Sequence, residues 1–246
     1  FARYTSLAGR TVLVTGGASG IGAQIVARFA DQGSQVAFLD FDAEGGARVA
    51  AATGALFIPC DLRDIAALRA AVAEAGARLG DITVLVNNAA RDDRHGLEAV
   101  EPDYWDERMA TNLRHQFFCA QAVVPMMRHA GGGSIINLGS VSWMNRTGGM
   151  PAYTAAKAAV RGLTRGLARD LGPDRIRVNE VVPGWVHTER QVALWLTPEA
   201  EARSQAKQCL KGALKPDDIA RMVLWLAADD SAMVTAQHFV VDGGSN

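Results

Sequence analysis

The sequence of 246 residues predicts an α/β fold with a doubly wound parallel sheet, contained in a single domain over residues 1–246. Three observations predict this class. Short runs rich in Val, Ile and Leu alternate with longer helical patterns, which is typical of parallel strands buried on both faces. A glycine-rich turn joins the first such run to the first helix. No linker, internal repeat or low-complexity segment divides the chain, and its length suits one large domain.

Four strands and three helices are predicted in the first part of the chain. The strands are the apolar runs at 11–15, 35–40, 55–59 and 82–88. The first helix covers 21–33, with Ile21, Ile25, Val26 and Phe29 on one face and Gly33 at its end. An alanine-rich helix ends near residue 52, and a third helix covers 64–79.

The second part of the chain continues the alternation. A long helix is predicted over about 102–130, with a bend expected at Pro125. Strands follow at 133–140, 176–182 and 237–244, and helices at 152–171 and 189–228, the last broken near Gly212. In a doubly wound parallel sheet, ligands bind beyond the carboxyl ends of the strands, near the point where strand order reverses. Functional residues are therefore expected there.

Composition excludes several classes of function. The formal net charge is −1 and no block of Lys and Arg stands out, so neither nucleic acid nor a membrane surface is expected as a partner. No apolar run reaches the roughly 18 residues of a membrane-spanning helix. The first residues lack the apolar core of a signal peptide. With 49% hydrophobic residues, the chain can build a sizeable core.

Cysteine and histidine usage predicts neither disulfides nor a metal site. Cys60, Cys119 and Cys209 are odd in number and widely spaced, without a CxxC pair. This pattern is typical of a reducing compartment, so we expect a cytoplasmic protein. The five histidines show no HExxH or comparable ligand spacing, and no metal is expected.

The turn after the first strand has the composition of a phosphate-binding loop. In TGGASGIG (15–22), Gly16, Gly20 and Gly22 have the spacing G-x-x-x-G-x-G. Glycine lets the backbone approach a pyrophosphate closely, and the helix that follows presents free N–H groups and a positive dipole end. A tight turn without a ligand is the alternative. The order of strand, turn and amphipathic helix favours a dinucleotide.

Two carboxylates follow the second and third strands. Asp40 ends the second strand, where a carboxylate accepts hydrogen bonds from the adenosine ribose hydroxyls and repels a 2′-phosphate. Neither Gly17 nor Phe41 supplies the Lys or Arg that NADP prefers, so NAD is favoured as the cofactor. Asp61 is placed to meet the adenine edge. The alternative for both is a carboxylate at a helix start, a role that Asp42 can also fill.

Four polar residues are candidates for catalysis. Tyr153 and Lys157 are four positions apart in YTAAK, and therefore lie one turn apart on one helical face. A free phenol has a pKa near 10, and a nearby ammonium favours the phenolate, so the pair is a candidate general base. Ser140 follows the fifth strand, and Asn112 lies in TNLRH. The alternative for the Tyr/Lys pair is an accidental pairing on a helix surface.

These motifs together resemble the short-chain dehydrogenase/reductase family in its compact single-domain form. The matching segments are TGGASGIG, NNAA (87–90) for the family's NNAG, Ser140, YTAAK, VPGWVHT (182–188) and VDGG (241–244). They follow in the family's order and span nearly the whole chain. The resemblance implies a Rossmann-like domain that positions a nicotinamide dinucleotide for hydride transfer. Ala90 departs from the family's glycine. A methyl group there could crowd the ribose, but alanine is the smallest possible change and the cofactor geometry is not expected to suffer.

The resemblance implies a role for each matching residue. Tyr153 exchanges the proton of the substrate hydroxyl, and Ser140 bonds the reacting oxygen. Lys157 holds the nicotinamide ribose and lowers the pKa of Tyr153, while Asn112 supports a proton relay through water. The full predicted cofactor-binding set is Gly16, Ser19, Gly20, Ile21, Gly22, Asp40, Asp61, Leu62, Asn88, Ala89, Tyr153, Lys157, Pro183, Gly184, Val186 and Thr188, the last four around the nicotinamide.

A narrower resemblance concerns the substrate. The stretches DDRH (92–95), YWDER (104–108), NLRHQFFCAQAV (112–123), SVSW (140–143) and the segment 196–212 are similar to bacterial aldose 1-dehydrogenases, D-xylose 1-dehydrogenases among them. This resemblance implies oxidation of an aldose, such as the pentoses D-xylose or L-arabinose, at C1 to the lactone. Substrate choice changes with few residues, so the residues near the site must be weighed as well.

The predicted substrate-binding residues are Ser140, Tyr153, Trp143, Arg146, Trp185, Trp195, Asp92 and His95. Indole rings cover the C–H face of a sugar, and an indole N–H can bond a hydroxyl. The alternative for each Trp is packing in the core or at a subunit contact. Arg146 suits a carboxylate, so a sugar acid such as a keto-deoxy aldonate, oxidised at a secondary alcohol, is the second hypothesis. The alternative for Arg146 is a solvent-facing loop residue.

The charged run RDDRH (91–95) follows the predicted adenosine contacts. Asp92, Asp93 or His95 is expected to meet sugar hydroxyls or to brace the residues that do, and solvated charge is the alternative. A third functional hypothesis is a cofactor-sensing regulator. Such proteins commonly lack a catalytic residue, whereas this chain keeps all four.

Two further expectations concern assembly and closure. The helix at 152–171 carries the small residues Ala155, Ala156, Ala158, Ala159 and Gly162, which allow close helix approach within the domain or between subunits. The resemblance implies a homotetramer that uses this helix and the long helix before it. The segment 189–212 is expected to cover the substrate and to order or close when NAD and substrate bind.

Overall fold

The computed structural model describes residues 2–246, which build one seven-stranded sheet whose neighbouring strands are all parallel. The strands are β1 (Thr11–Thr15), β2 (Gln35–Asp40), β3 (Leu56–Pro59), β4 (Ile82–Asn87), β5 (Gly133–Leu138), β6 (Ile176–Pro183) and β7 (His238–Val241). Their order across the sheet is β3-β2-β1-β4-β5-β6-β7, so the winding reverses between β1 and β4. The predicted doubly wound parallel α/β class is confirmed.

The helices follow the predicted alternation with shifted boundaries. They are α1 (Gly20–Asp31), α2 (Ala43–Thr53), α3 (Ile65–Leu79), α4 (Pro102–Met109), α5 (His115–His129), α6 (Pro151–Leu171), α7 (Glu189–Trp195), α8 (Pro198–Lys207) and α9 (Pro216–Ala227). A proline opens α8 and another opens α9, where the missing N–H has no helical partner to lose. Since α8 ends at Lys207 and α9 begins at Pro216, the predicted break near Gly212 lies within a longer non-helical segment.

The predicted long helix over 102–130 is interrupted, but not at Pro125. A π-helical segment, Ala110–Arg114, separates α4 from α5, and α5 continues through Pro125. Pro125 is exposed, on the side of the helix where water can replace a lost backbone hydrogen bond. Single π-helical turns inside α-helices are frequent at functional sites.

Both faces of the sheet are buried, which explains the mainly apolar strands. On one face Val12 and Val14 pack with the helices α1 and α9. On the other face Leu13 and Leu85 pack with α3 and α5. Strand β6 contains a buried carboxylate, because Glu180 is 0% exposed.

Three observations concern membranes, metals and thiols. No helix within residues 2–246 combines the length and hydropathy needed to cross a bilayer. Across the same residues, no three His, Cys, Asp or Glu side chains are grouped so that they could share a metal ion. Cys60 and Cys119 are buried free thiols, and Cys209 is an exposed one.

Candidate active site

The glycine-rich turn lies at the carboxyl end of β1, against the segment that follows β4. Gly16 has a φ of +69°, which favours glycine, and a Cβ there would approach the Cα of Ala89 to 2.7 Å. A Cβ on Gly22 would collide with the carbonyl oxygen of Gly16. Asn88 fastens the turn, because its Nδ2 donates to the carbonyl oxygens of Thr15 and Gly16 at 3.0 and 2.9 Å. The predicted role of Asn88 is thus accompanied by a structural one.

The N-terminus of α1 fits a bound pyrophosphate. Ser19 is the N-cap and is exposed, yet its side chain makes no capping hydrogen bond with the first N–H groups of the helix. A Cβ on Gly20 would approach Cγ2 of Thr188 to 3.1 Å, so the loop after β6 meets this turn. Ile21 is half-buried and anchors the first turn in the core. Uncapped N–H groups beside a glycine backbone are the features that an anionic diphosphate requires.

Asp40 lies beside the glycine-rich turn, at the end of β2. Its Oδ2 accepts a hydrogen bond from the N–H of Ala18 at 3.0 Å, and its Oδ1 accepts one from the N–H of Asp42 at 3.0 Å. The N-cap of α2 is Asp42, whose carboxylate accepts from the N–H of Gly45. The helix-cap alternative therefore belongs to Asp42. Asp40 is left at the position predicted for the adenosine ribose.

Asp61 and Leu62 follow β3 and differ in environment. Asp61 is exposed and forms an ion pair with Arg63 at 2.7 Å, and hydrogen bonds from Arg63 hold the pKa of Asp61 below its usual range. Leu62 is buried in the core. The N-cap of α3 is Asp64, so Asp61 does not start that helix. Its contact with adenine stays a prediction.

The segment after β4 is held from two sides. The N–H of Ala89 donates to Oγ1 of Thr15 at 3.1 Å, and Nε2 of His115 lies 3.1 Å from the Ala89 carbonyl oxygen. Burial lowers the pKa of His115 to about 3, so the ring is neutral and donates from Nε2. Ala90, where glycine was expected, is exposed and its φ is not positive. Alanine therefore causes no backbone strain at this position.

Tyr153 and Ser140 come together beyond the end of β5. Tyr153 lies in the first turn of α6, and an interaction with the Ser140 side chain acts against the rise in the Tyr153 pKa that burial causes. Oγ of Ser140 accepts from the N–H of Ser142 at 3.2 Å, which fixes its direction. This pair presents two hydroxyl groups to one point, as binding and deprotonation of an alcohol require.

Lys157 lies one turn further along α6 and is almost fully buried. Its Nζ donates to the carbonyl oxygen of Leu138 at 2.7 Å and lies 5.8 Å from the centroid of the Tyr153 ring. Burial lowers the pKa of Lys157 to about 8. The expected lowering of the Tyr153 pKa is not found, because burial raises it to about 12. Desolvation of the phenolate outweighs an ammonium that is directed towards Leu138.

Asn112 occupies the π-helical segment between α4 and α5. It is fully buried, its Oδ1 accepts from the N–H of Arg91 at 2.8 Å, and its Nδ2 donates to the carbonyl oxygen of Arg108 at 2.9 Å. The same segment packs against α6, which carries Tyr153 and Lys157. The four predicted catalytic residues therefore lie at one edge of the sheet.

The charged run after β4 ties that loop to helix α7. Arg190 donates to the carboxylates of Asp92 and Asp93 at 2.7 and 2.6 Å, and Nε2 of Gln191 donates to Asp92 at 2.8 Å. We call these four residues the latch. Asp93 also accepts from the buried guanidinium of Arg108 at 2.7 Å. The carboxylates of this run therefore bind side chains of α7 and α4. A sugar contact of Asp92 stays a prediction.

His95 braces the start of the helix that carries Tyr153. Its Nε2 accepts from the N–H of Ala152 at 3.2 Å, in the first turn of α6. Its Nδ1 lies 3.0 Å from the carbonyl oxygen of Asp93 and 3.0 Å from the hydroxyl of Tyr104. With Nε2 as acceptor, Nδ1 carries the proton. The bracing role proposed for the charged run is thus visible at His95.

The three predicted tryptophans have different surroundings. Nε1 of Trp185 donates to Oε1 of Gln191 at 3.0 Å, so this indole supports α7. Trp195 ends α7, and the guanidinium of Arg94 lies 5.3 Å from its ring centroid. Nε1 of Trp143 is buried and has no hydrogen-bond partner among residues 2–246. Trp195 keeps an exposed ring that a sugar can use, whereas the Trp143 N–H is buried and the Trp185 N–H is already bonded.

The loop after β6 connects the predicted nicotinamide contacts to α7. Pro183 and Val186 are buried, and Val186 forms an isolated bridge with Leu214. A Cβ on Gly184 would approach the Cβ of Asp242 to 2.7 Å. Thr188 is the N-cap of α7, with its hydroxyl accepting from the N–H of residue 191. These residues hold the start of the segment that was expected to cover the substrate.

Arg146 lies at the rim of the site, in the turn that follows Ser140. It is exposed and has a φ of +54°, a region that non-glycine residues seldom adopt. This placement matches the solvent-facing alternative. A contact with a carboxylate stays a prediction.

Three charged side chains near the site, Glu180, Arg108 and Arg190, were not predicted from the sequence. The sequence does give a signal for Glu180, since IRVNEVV contains a carboxylate within a strand that is predicted to be buried. Arg108 and Arg190 have no comparable signal, because the Asp92 and Asp93 carboxylates that they bind belong to a loop 15 or more positions earlier in the sequence. Only the folded chain brings these charges together.

Comparisons with known proteins agree with this geometry. The family model described as Enoyl-(Acyl carrier protein) reductase, a short-chain dehydrogenase/reductase model, matches residues 16–246. The chain is 53% identical to the probable galactose dehydrogenase of Rhizobium meliloti (strain 1021), covering 98% of this chain and 97% of that protein. It is 49% identical to the D-xylose 1-dehydrogenase of Caulobacter vibrioides (strain NA1000 / CB15N), with the same coverage of 98% and 97%. A solved dehydrogenase/reductase structure from Sinorhizobium meliloti 1021 has a TM-score of 0.90 at 38% identity and covers 98% of both chains.

Proposed function

Because this chain belongs to the short-chain dehydrogenase/reductase family and is an oxidoreductase with a nicotinamide cofactor, we propose that it oxidises an aldose at C1 to the lactone with NAD+. The observation that carries the proposal is the convergence of Ser140, Tyr153 and Lys157 at the carboxyl end of β5. About half of the residues are identical in two relatives named as sugar dehydrogenases, which supports an aldose as the substrate.

The proposed reaction divides the work between the cofactor and the side chains. NAD+ supplies the acceptor for the hydride that leaves C1. Tyr153 takes the proton of the anomeric hydroxyl, and Ser140 holds the same oxygen as it becomes a carbonyl. Lys157 favours the phenolate form of Tyr153 by its charge. The products are the lactone, NADH and one proton, which leaves Tyr153 through the region of Asn112.

NAD+ rather than NADP+ is proposed because of Asp40. Its carboxylate lies beside the glycine-rich turn, at the end of β2. A carboxylate there accepts hydrogen bonds from ribose hydroxyls and repels the 2′-phosphate of NADP+.

The substrate is tested by following NADH absorbance with a panel of sugars. D-xylose, L-arabinose and D-galactose represent the aldoses, and keto-deoxy aldonates represent the sugar acids. We expect turnover of at least one aldose, with the lactone as the product. Turnover confined to sugar acids would replace this proposal with oxidation of a secondary alcohol, for which Arg146 is the candidate carboxylate partner.

The base is tested by Tyr153→Phe, which removes the hydroxyl and leaves the ring. Loss of general base catalysis is expected to lower kcat by roughly 10² to 10⁴-fold. The dissociation constant of NAD+, measured by calorimetry, is expected to change little. Tyr4→Phe is the matched control, since Tyr4 packs at the far end of the core. A Tyr153→Phe enzyme with the wild-type rate would exclude Tyr153 as the base. A wild-type protein that binds NAD+ without turning over any substrate would favour the third hypothesis, a cofactor-sensing regulator.

A further inference from the structure

Glu180 is a buried carboxylate that the proposed reaction does not use. It lies in the middle of β6 and is 0% exposed, and neither carboxylate oxygen has a hydrogen-bond partner among the described residues. Burying a charge without compensation is costly, so such a group is neutralised or paired with a cation. Its surroundings therefore decide what it does.

Two neighbouring residues place this carboxylate beside Lys157. Oε1 of Glu180 fills the space that a Cβ on Gly139 would need. The residue before, Leu138, supplies the carbonyl oxygen that accepts from Nζ of Lys157 at 2.7 Å. The carboxylate and the ammonium thus lie against adjacent peptide units, at the end of β5 that leads to Ser140.

The charges of the two groups oppose the effects of burial. Burial lowers the pKa of Lys157 to about 8, and the charge of Glu180 acts against this. Burial raises the pKa of Glu180 to about 7, while the charges of Arg161 and Lys157 act against it. Each group therefore favours the ionised form of the other.

The remaining titratable and charged groups near Glu180 lie on two elements. Arg161 and Arg165 follow Lys157 on α6. His238 on β7 is the backbone register partner of Glu180 on β6. Arg161 has a buried Nη1 without a hydrogen-bond partner among residues 2–246. Helix α9 packs on the opposite face of β6 and does not face the carboxylate. Among the cations around Glu180, Lys157 is almost fully buried, and its Nζ lies 5.8 Å from the centroid of the Tyr153 ring.

We propose that Glu180 is the counter-ion of Lys157, a positioning residue that keeps the Lys157 ammonium charged beside Tyr153 during turnover. An ammonium near the phenol favours the phenolate, so the charge of Glu180 is transmitted to the base through Lys157. Glu180 touches neither of the reacting groups. The catalytic consequence rests on the proposed function, whereas the pairing of Glu180 with Lys157 does not.

The pairing can be measured directly because the chain has four lysines, of which Lys207, Lys211 and Lys215 are exposed. With 13C-labelled lysine, the Cε resonance of Lys157 is followed by NMR as a function of pH. In the wild-type protein we expect a main titration near pH 8 and a smaller step near pH 7, caused by ionisation of Glu180. In Glu180→Gln the smaller step is lost, and the midpoint of Lys157 falls by about one pH unit or more.

The conservative variant Glu180→Asp and the wild-type protein serve as controls for misfolding of Glu180→Gln. Glu180→Asp keeps a carboxylate and is expected to retain the smaller step. A Glu180→Gln protein in which Lys157 titrates as in the wild type would overturn the proposal. If that variant does not fold, a wild-type titration without the step near pH 7 overturns it equally.

Kinetics with the aldose distinguish a positioning role from a structural one. At pH 6 the wild-type carboxyl is protonated and resembles the amide, so kcat/KM of Glu180→Gln should be within about twofold of wild type. At pH 9 it should be about tenfold lower, as expected for one pH unit in the Lys157 titration. An equal loss at both pH values indicates a structural role and overturns the proposal. If the wild-type enzyme turns over no aldose, the proposed function fails while the NMR titration still decides the pairing.

Discussion

The carboxylate of Asp40 performs two tasks at one position. It accepts hydrogen bonds from two backbone N–H groups, and we propose that it also binds the adenosine ribose. Asp40→Asn removes the charge and keeps the size of the side chain. A hydrogen bond to a charged group contributes about 1.5–3 kcal/mol, so kcat/KM for NAD+ should fall roughly tenfold to a hundredfold. The ratio of NADP+ to NAD+ use, from steady-state rates with both cofactors, should rise.

The neighbouring Asp42 offers a matched control for this change. Asp42 caps α2 and accepts from the N–H of Gly45. Asp42→Asn should lower the melting temperature slightly and leave cofactor preference unchanged, since Asn is also a good N-cap. If Asp40→Asn and the wild-type enzyme show the same preference for NAD+ over NADP+, Asp40 does not determine cofactor specificity.

Single residues were predictable where a local pattern fixes their geometry. The spacing of Tyr153 and Lys157 places both on one face of a helix, and the structure has them there. The pKa of Tyr153 was not predictable in this way, because burial raises it and burial depends on the whole fold. The partners of His95 could not be predicted either, because its hydrogen bond with Ala152 joins segments that are 57 positions apart.

At the scale of elements, the latch joins the loop after β4 to helix α7, the start of the segment that we propose covers the substrate. Arg190 is the residue of the latch that contacts both Asp92 and Asp93. Exposed ion pairs contribute up to about 1 kcal/mol, so Arg190→Gln should speed cleavage of residues 189–212 by proteinase K roughly fivefold. Since we propose that α7 covers the aldose, the KM for the aldose should rise when the latch is weakened.

Two controls define this result. Arg203→Gln changes an exposed arginine of α8 that lies outside the latch, and it should leave cleavage unaltered. High salt should accelerate cleavage of the wild-type protein and reduce the difference from Arg190→Gln, because it screens exposed charges. Equal cleavage rates for wild type and Arg190→Gln at low salt would show that the latch does not restrain α7.

Helices and strands followed from periodicity, while the π-helical segment did not. The residues of Ala110–Arg114 continue the helical pattern on both sides, so the sequence predicts one helix there. The π turn is fixed by tertiary contacts, with the buried Asn112 amide bonded to the loop after β4. Hydrophobic periodicity does not report such contacts.

At the scale of the whole molecule, we propose a homotetramer that uses helices α5 and α6. Phe117 on α5 is 42% exposed, and Trp105 on α4 is 39% exposed. On α6, Ala159 and Gly162 are exposed, whereas Ala156 is fully buried in the domain. Large apolar side chains beside a surface of small residues are typical of a subunit contact. Close packing within the domain is therefore observed at Ala156, and a subunit contact at Ala159 and Gly162 stays a proposal.

The assembly is tested by Phe117→Asp, which places a charge on the proposed contact. Burying an unpaired carboxylate is costly, so the mass from light scattering should fall from that of a tetramer to that of a dimer or monomer. Phe117→Leu keeps the site apolar and should leave the mass unchanged. A wild-type protein that is monomeric at micromolar concentration would exclude the proposed assembly.

The order of the seven strands was implied by the class of fold rather than by any strand. Continuous apolar runs predict that strands are parallel and buried, and right-handed crossovers restrict the arrangements that remain. The reversal between β1 and β4 brings the glycine-rich turn next to Asn88. That contact joins two motifs that are 72 positions apart in the sequence.

The close approach of Glu180 to Gly139 links two positions in evolution. The glutamate occupies the volume that any side chain at 139 would need, so position 139 is restricted to glycine while the glutamate stays. Relatives with alanine at the position of Gly139 should therefore carry a shorter residue at the position of Glu180. Where an acid is retained, glycine should be retained opposite it. Such paired substitution would identify the relatives that share this charge arrangement from their sequences alone.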